Sequence, residues 1–160
     1  MTHQNTKLID DLKQLLRMLK LTVCLEQFQV IAERCEKEKL SHIEFLHELV
    51  LREHEQRQQK RIEALIKKAQ LPRKKLLSDF DMTRIPGLAP SQILSLASGD
   101  FIDHYGNVLI FGNPGTGKSH LGMALLREWC LLGRKVRFFT AVGLVQLLLQ
   151  AKAKLQYPKI

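Results

Sequence analysis

Leu8, Leu12, Leu15, Leu16 and Leu19 recur at three- and four-residue intervals, the spacing that puts side chains on one face of an amphipathic helix. From Cys24 to about Cys35 a second, weaker signal of the same period follows. Ser41-His-Ile-Glu44 has the form of a capping box, in which the serine hydroxyl accepts from the third helical N–H while the glutamate reaches back. It opens a long helix with Ile43, Leu46, Leu49 and Val50 turned inward, grading into a charged segment that runs to Ala69. Neither glycine nor proline occurs before Pro72. The pattern predicts a small helical bundle over residues 1–70, with the leucine stripe as ordinary core.

Pro72-Arg-Lys-Lys, Pro86-Gly87 and Pro90 then interrupt the periodicity and mark a basic linker over 71–100. Within it a short helix is expected from Ser91 to Ala97, ending near Gly99. Asp100 to Tyr105 leads into Val108-Leu109-Ile110-Phe111, an apolar run of the kind shown by a parallel strand buried on both faces. A helix follows Ser119, with Leu121, Ala124, Leu125 and Leu132 on one face and Gly133 where a C-terminal cap belongs. Arg134 to Thr140 reads as a second strand, and a helix from about Ala141 contains Leu144, Leu147, Leu148 and Lys152.

Between the first of these strands and its helix lies Gly112-Asn-Pro-Gly-Thr-Gly-Lys-Ser119, which matches the phosphate-binding pattern G-x-x-x-x-G-K-[ST] at Gly112, Gly117, Lys118 and Ser119. Glycines let the backbone wrap closely around phosphate oxygens, which a Cβ would obstruct. Successive loop N–H groups and the positive end of the following helix form an anion cradle. Lys118 is expected at the β- and γ-phosphates, and the Ser119 hydroxyl on Mg²⁺. The order strand, loop, helix favours this reading over a glycine-rich turn with no ligand.

Charge adds a second candidate surface. Between Arg52 and Lys75, nine Lys and Arg stand against three Glu, which concentrates most of the net charge of +9 there. A clustered excess is what phosphate neutralisation requires, so Arg57, Lys60, Arg61, Lys67, Lys68, Arg73, Lys74 and Lys75 are candidate DNA contacts. The competing reading is a solvated helix face followed by a basic linker. Aromatic residues are missing between Phe45 and Phe80, so base stacking is not the expected mode.

Other classes are excluded more simply. An apolar fraction of 45% in 160 residues is ample for a core and argues against wholesale disorder. Cys24, Cys35 and Cys130 are odd in number and widely spaced, and read as free thiols of a reducing cytoplasm. No apolar run approaches the roughly 18 residues of a membrane span, and the N-terminal residues have no signal-peptide core. The six histidines show no metal-binding spacing.

The helical N-terminal segment, the basic linker and the run from Asn107 through the phosphate loop to His120-Leu121 together resemble the IstB family of transposition helper ATPases. That family is similar to bacterial helicase loaders of the DnaC and DnaI type. The resemblance continues through Leu131-Leu-Gly-Arg-Lys-Val-Arg-Phe-Phe-Thr-Ala141 and covers nearly the whole chain; its most specific part is Asn107 to Ala141. It implies an α/β fold of AAA+ type: a helical bundle over 1–70, the linker over 71–100, and over 101–160 the first part of a three-layer αβα P-loop domain. It also implies ATP as the nucleotide, with Mg²⁺ on Ser119. Gly112, Asn113, Pro114, Gly115, Thr116, Gly117, Lys118, Ser119 and His120 would then be the cofactor-binding residues. The partners implied are DNA and the transposase of the same mobile element, with self-assembly of the full-length protein and no membrane.

The sequence departs from the family pattern in one respect. No run of four apolar residues ending in Asp-Asp or Asp-Glu follows Ser119, so the Walker B element is missing, as are the sensor and arginine-finger segments. The domain is therefore expected to be incomplete and the chain truncated. No catalytic residue is assigned, and the chain by itself is not expected to hydrolyse ATP. Two other readings stay open: a helicase loader of the same fold, and an inert remnant whose helical part binds DNA or a partner. A small P-loop kinase would need an arginine-rich lid, which the sequence does not show.

Overall fold

Helical periodicity in the first part of the chain becomes three helices, α1 (His3–Met18), α2 (Thr22–Glu38) and α3 (His42–Ala69), in a computed structural model that describes residues 3–81 and 87–153. Pro86 of the expected linker and residues 154–160 of the expected P-loop portion lie outside the described residues. The chain divides into two compact units, Met1–Arg61 and Ile62–Ile160.

In the first unit, Leu16 of α1, Cys24, Phe28, Ile31 and Cys35 of α2, and Leu49 of α3 form the core. The capping box at Ser41 is present: Glu44 N–H donates to Ser41 Oγ at 3.2 Å, and Ser41 N–H donates to Glu44 Oε2 at 2.7 Å. The Ser41 amide and hydroxyl together hold the Glu44 carboxyl below its ordinary value. α1 and α2 both end in Schellman turns whose left-handed residue is a lysine, Lys20 and Lys39 at φ +55° each. Leu21 N–H donates to Leu16 O, and Leu40 N–H to Cys35 O, both at 2.9 Å.

A polar row on α3 holds the α1–α2 turn. Leu21 precedes α2 without offering a side-chain cap. Glu53 supplies it from α3, its Oε2 accepting from Val23 N–H at 2.9 Å and from Cys24 N–H at 3.2 Å. Arg57 donates to Glu53 Oε1 at 2.8 Å and to the Lys20 carbonyl at 2.9 Å, at the end of α1. One turn of α3 thus satisfies two N–H groups at the start of α2 and a carbonyl of the turn that precedes it.

This clamp decides which face of α3 is buried. Leu49, Glu53 and Arg57 lie at four-residue intervals, so α3 presents their row to α1 and α2. Ile43, Leu46 and Val50, expected inward, are instead exposed. The leucine stripe of α1 is also mostly not core. Leu8, Leu12, Leu15 and Leu19 are exposed, and α1 packs through Ile9 and Leu16. Periodicity marked the correct helices but overstated the width of face their neighbours cover.

In the second unit come α4 (Pro90–Ser98), α5 (Asp100–Asp103), α6 (Lys118–Leu131) and α7 (Ala141–Ala153). Phe80, Ile93, Leu121 and Leu125 form its core, joined by Leu77, Leu88, Leu96, Ala97 and Trp129. Trp129 fastens α6 to α4 by donating Nε1–H to the Leu96 carbonyl at 2.9 Å. Leu121, Ala124 and Leu125 are buried as expected of α6, but Leu132 lies past its end and is 58% exposed.

The two expected strands are corrected. Neither Val108–Phe111 nor 134–140 pairs into a ladder, and no strand occurs among the described residues. Leu109 and Phe111 are 77% and 84% exposed, so the expected burial on both faces is not met. A strand is completed by a partner's N–H and C=O groups, and an apolar run cannot supply these for itself. In 134–140, Phe138 N–H donates to the Ala69 carbonyl at the end of α3, at 2.9 Å.

Asp103 and Arg134 form a two-pronged ion pair at 2.6 and 2.7 Å. The Arg134 hydrogen bonds hold the Asp103 carboxyl below its ordinary value. The pair is solvated, and Asp103→Asn is expected to move the melting midpoint by no more than about 2 °C in a calorimetric scan at neutral pH.

Candidate phosphate-binding loop

Residues between Phe111 and α6 carry the chain over a turn that ends at Gly117, the residue capping α6. Gly115 and Gly117 lie at φ +82° and +87°, a region that side-chain-bearing residues rarely adopt. No side chain caps α6, so the N–H groups of its first turn are left to solvent or a ligand. The loop closes on one carbonyl: Thr116 Oγ1 and Lys118 Nζ donate to Asn113 O at 2.9 and 2.7 Å. Gly112, Asn113, Pro114, Gly115, Thr116 and Ser119 are exposed, while Gly117, Lys118 and His120 are half-buried. The arrangement offers an anion a positive helix end, a lysine ammonium one bond away from release, and a hydroxyl at the second helical position.

A cleft of about 470 Å³ opens beside the loop, lined by Pro114, Gly115, Thr116, Gly117 and His120 and, from the other side, by Asp79, Phe80 and Asp81. The sequence reading did not include this second wall. Its contact with the loop joins residues as far apart as Leu76 and His120, and Asp-Phe-Asp carries no pattern that would announce it. Among the described residues no three His, Cys, Asp or Glu side chains gather as a metal cluster.

The basic candidates stand along α3 and the stretch after it. Lys60, Arg61, Lys67, Lys68, Arg73 and Lys74 are exposed, and Lys75 is half-buried. Arg57 is engaged in the Glu53 clamp. The three cysteines are free and buried, and burial pushes the Cys24 and Cys130 thiols up, which keeps them protonated. No described helix is long and apolar enough to cross a membrane.

Glycine-rich loop, lysine and uncapped helix together are the features of an anion-binding loop. The chain belongs to the family of IstB-like ATP binding proteins, which matches residues 14–159. Membership supports an α/β class for the chain. It is 36% identical to a protein assigned ATP binding in insertion sequence IS5376 of Geobacillus stearothermophilus, over 83% of this chain and 53% of the relative. A counterpart in insertion sequence IS21 of Pseudomonas aeruginosa is 33% identical over 89% of this chain and 54% of its own length. A third, from Sinorhizobium fredii, is 34% identical over 78% of this chain and 42% of its own length. The chain thus spans about half the length of the curated relatives it matches.

Proposed function

We propose that this chain is an ATP-binding helper of DNA transposition, holding the nucleotide on the phosphate loop and DNA on its basic segment. The observation that carries the reading is the loop itself: two glycines at positive φ lead into an uncapped helix that begins Lys118-Ser119. Gly112, Asn113, Pro114, Gly115, Thr116, Gly117 and Lys118 would cradle the triphosphate, with His120 beside them, and Ser119 would ligate Mg²⁺. The residues fit that group: Gly115 has open space where a Cβ would stand, and α6 has no competing cap. Bound Mg²⁺ would neutralise charge on the β- and γ-phosphates. In this reading residues 1–70 form the helical domain, 71–100 the linker and 101–160 the first half of an AAA+ domain. The partners are DNA and the transposase of the same element, the full-length protein self-assembles, and the setting is the cytoplasm. Titration of the 160-residue chain with a fluorescent ATP analogue and Mg²⁺ should show saturable binding that unlabelled ATP displaces. An unsaturable signal that ATP does not displace would end the reading.

For DNA the expected behaviour is sequence-indifferent and steeply salt-dependent. With four to six phosphate contacts, the log–log slope of affinity against salt on duplex DNA should be about −4 to −5. Replacing Lys67, Lys68, Arg73 and Lys74 together by Glu should abolish binding in a fluorescence-anisotropy titration. A flat salt response, or undiminished binding by that variant, would leave the basic segment as a solvated surface.

A further inference from the structure

Two aromatic side chains outside the glycine-rich motif grip the turn from which Lys118 and Ser119 depart. The Phe80 ring packs on Gly117 so closely that a Cβ there would meet Phe80 Cε2 at 3.1 Å. The same ring meets His120 edge-on, with centroids 5.5 Å apart and planes at 67°. His120 in turn lies with Nε2 3.0 Å from the Leu76 carbonyl. A carbonyl can only accept, so Nε2 carries the hydrogen and donates it. Gly117 and His120 stand three residues apart and bracket Lys118 and Ser119. Phe80 is itself fixed, 9% exposed in the core with Ile93, Leu121 and Leu125. The stretch from Leu76 to Phe80 therefore holds the first turn of α6 at both ends.

We infer that Phe80 and His120 are positioning residues for the phosphate loop, acting through Gly117 rather than on the ligand. The inference rests on the reading of Gly112–Ser119 as a triphosphate site. Its physical basis is preorganisation. A glycine is the least constrained of residues, and Gly117 at φ +87° has no side chain to restrict it. A rigid ring against its Cα takes over that restriction, and a loop ordered before binding loses less entropy when the anion arrives. Coupling is reciprocal, so an anion on the loop must tighten residues 76–81 in return.

The test uses the whole 160-residue chain and two probes with Mg²⁺, ATP and inorganic tripolyphosphate. Phe80→Leu, which keeps an apolar core residue, and His120→Ala should each weaken both probes by the same factor, about tenfold. Their melting midpoints without ligand should fall by no more than a few degrees, leaving both variants folded at the assay temperature. His120→Gln retains a donor for the Leu76 carbonyl and should recover part of the loss. Amide hydrogen exchange on the unsubstituted chain gives an independent reading: tripolyphosphate should slow exchange at 77–81 together with 113–118. Loss of ATP affinity with tripolyphosphate unaffected would mean that the segment meets the nucleoside, and would overturn the inference. So would undiminished affinities in both variants, or exchange at 77–81 that ignores the anion. Failure of the unsubstituted chain to bind either probe would instead remove the triphosphate site, and the inference with it.

Discussion

Lys118→Ala should lower affinity for ATP by about ten- to a hundredfold, the loss expected when a charge-assisted contact of roughly 1.5–3 kcal/mol is removed. Lys118 is the cation that the motif directs at the β- and γ-phosphates, and in the structure its ammonium waits on the Asn113 carbonyl at 2.7 Å. That carbonyl keeps the Thr116 hydroxyl at 2.9 Å in the variant, so the loop should remain closed. The melting midpoint without nucleotide should therefore barely change while binding collapses. Displacement of a fluorescent ATP analogue measures the first quantity, and a thermal scan the second. Undiminished affinity in the variant would remove the central claim about this loop.

Glu53→Ala should destabilise the helical unit by about 2–4 kcal/mol, because it strips a buried acceptor from two helix N–H groups and a guanidinium. The wild-type group also sets an acid limit. Burial pushes the Glu53 carboxyl up, but the Arg57 guanidinium and the Cys24 and Val23 amides outweigh it, and the net shift is downward from 4.5. A carboxyl with a lower pKa folded than unfolded binds protons more readily in the unfolded chain. Its stabilisation is complete above the unfolded value and is lost as pH falls through the folded one. Circular-dichroism melts from neutral pH downward should show the unsubstituted chain losing stability in that window, and Glu53→Gln, already without the charge, losing less there. Parallel acid limbs in the two proteins would show that Glu53 is not the group responsible.

What could be read from the residues alone was whatever depends on near neighbours in the chain. The capping box at Ser41 and Glu44 spans four residues, and it formed. The glycine-rich pattern lies within eight, and its Gly115 and Gly117 lie at positive φ. Helix existence was legible because its period repeats locally, and Gly99 and Gly133 marked the ends of α4 and α6; the ends of α1 and α2 were not legible, because Lys20 and Lys39 adopt the left-handed conformation in place of a glycine. Burial was the least legible. Ile43 and Leu49 look equivalent in the pattern, yet one is 81% and the other 8% exposed. The difference is made by Glu53 and Arg57, whose partners on the α1–α2 turn lie 29 to 37 positions away.

The same division runs through the site. Local sequence determined a glycine-rich turn, a lysine and a helix start, because steric freedom and helix polarity act over a few residues. Only the tertiary structure decided that Phe80 would lie on Gly117 and that His120 would reach Leu76 across 44 positions. It also decided that Val108–Phe111 would find no ladder partner among the described residues. Hydrogen bonds and ring contacts between distant segments depend on where the chain returns in space, and no periodicity in a linear sequence records that return.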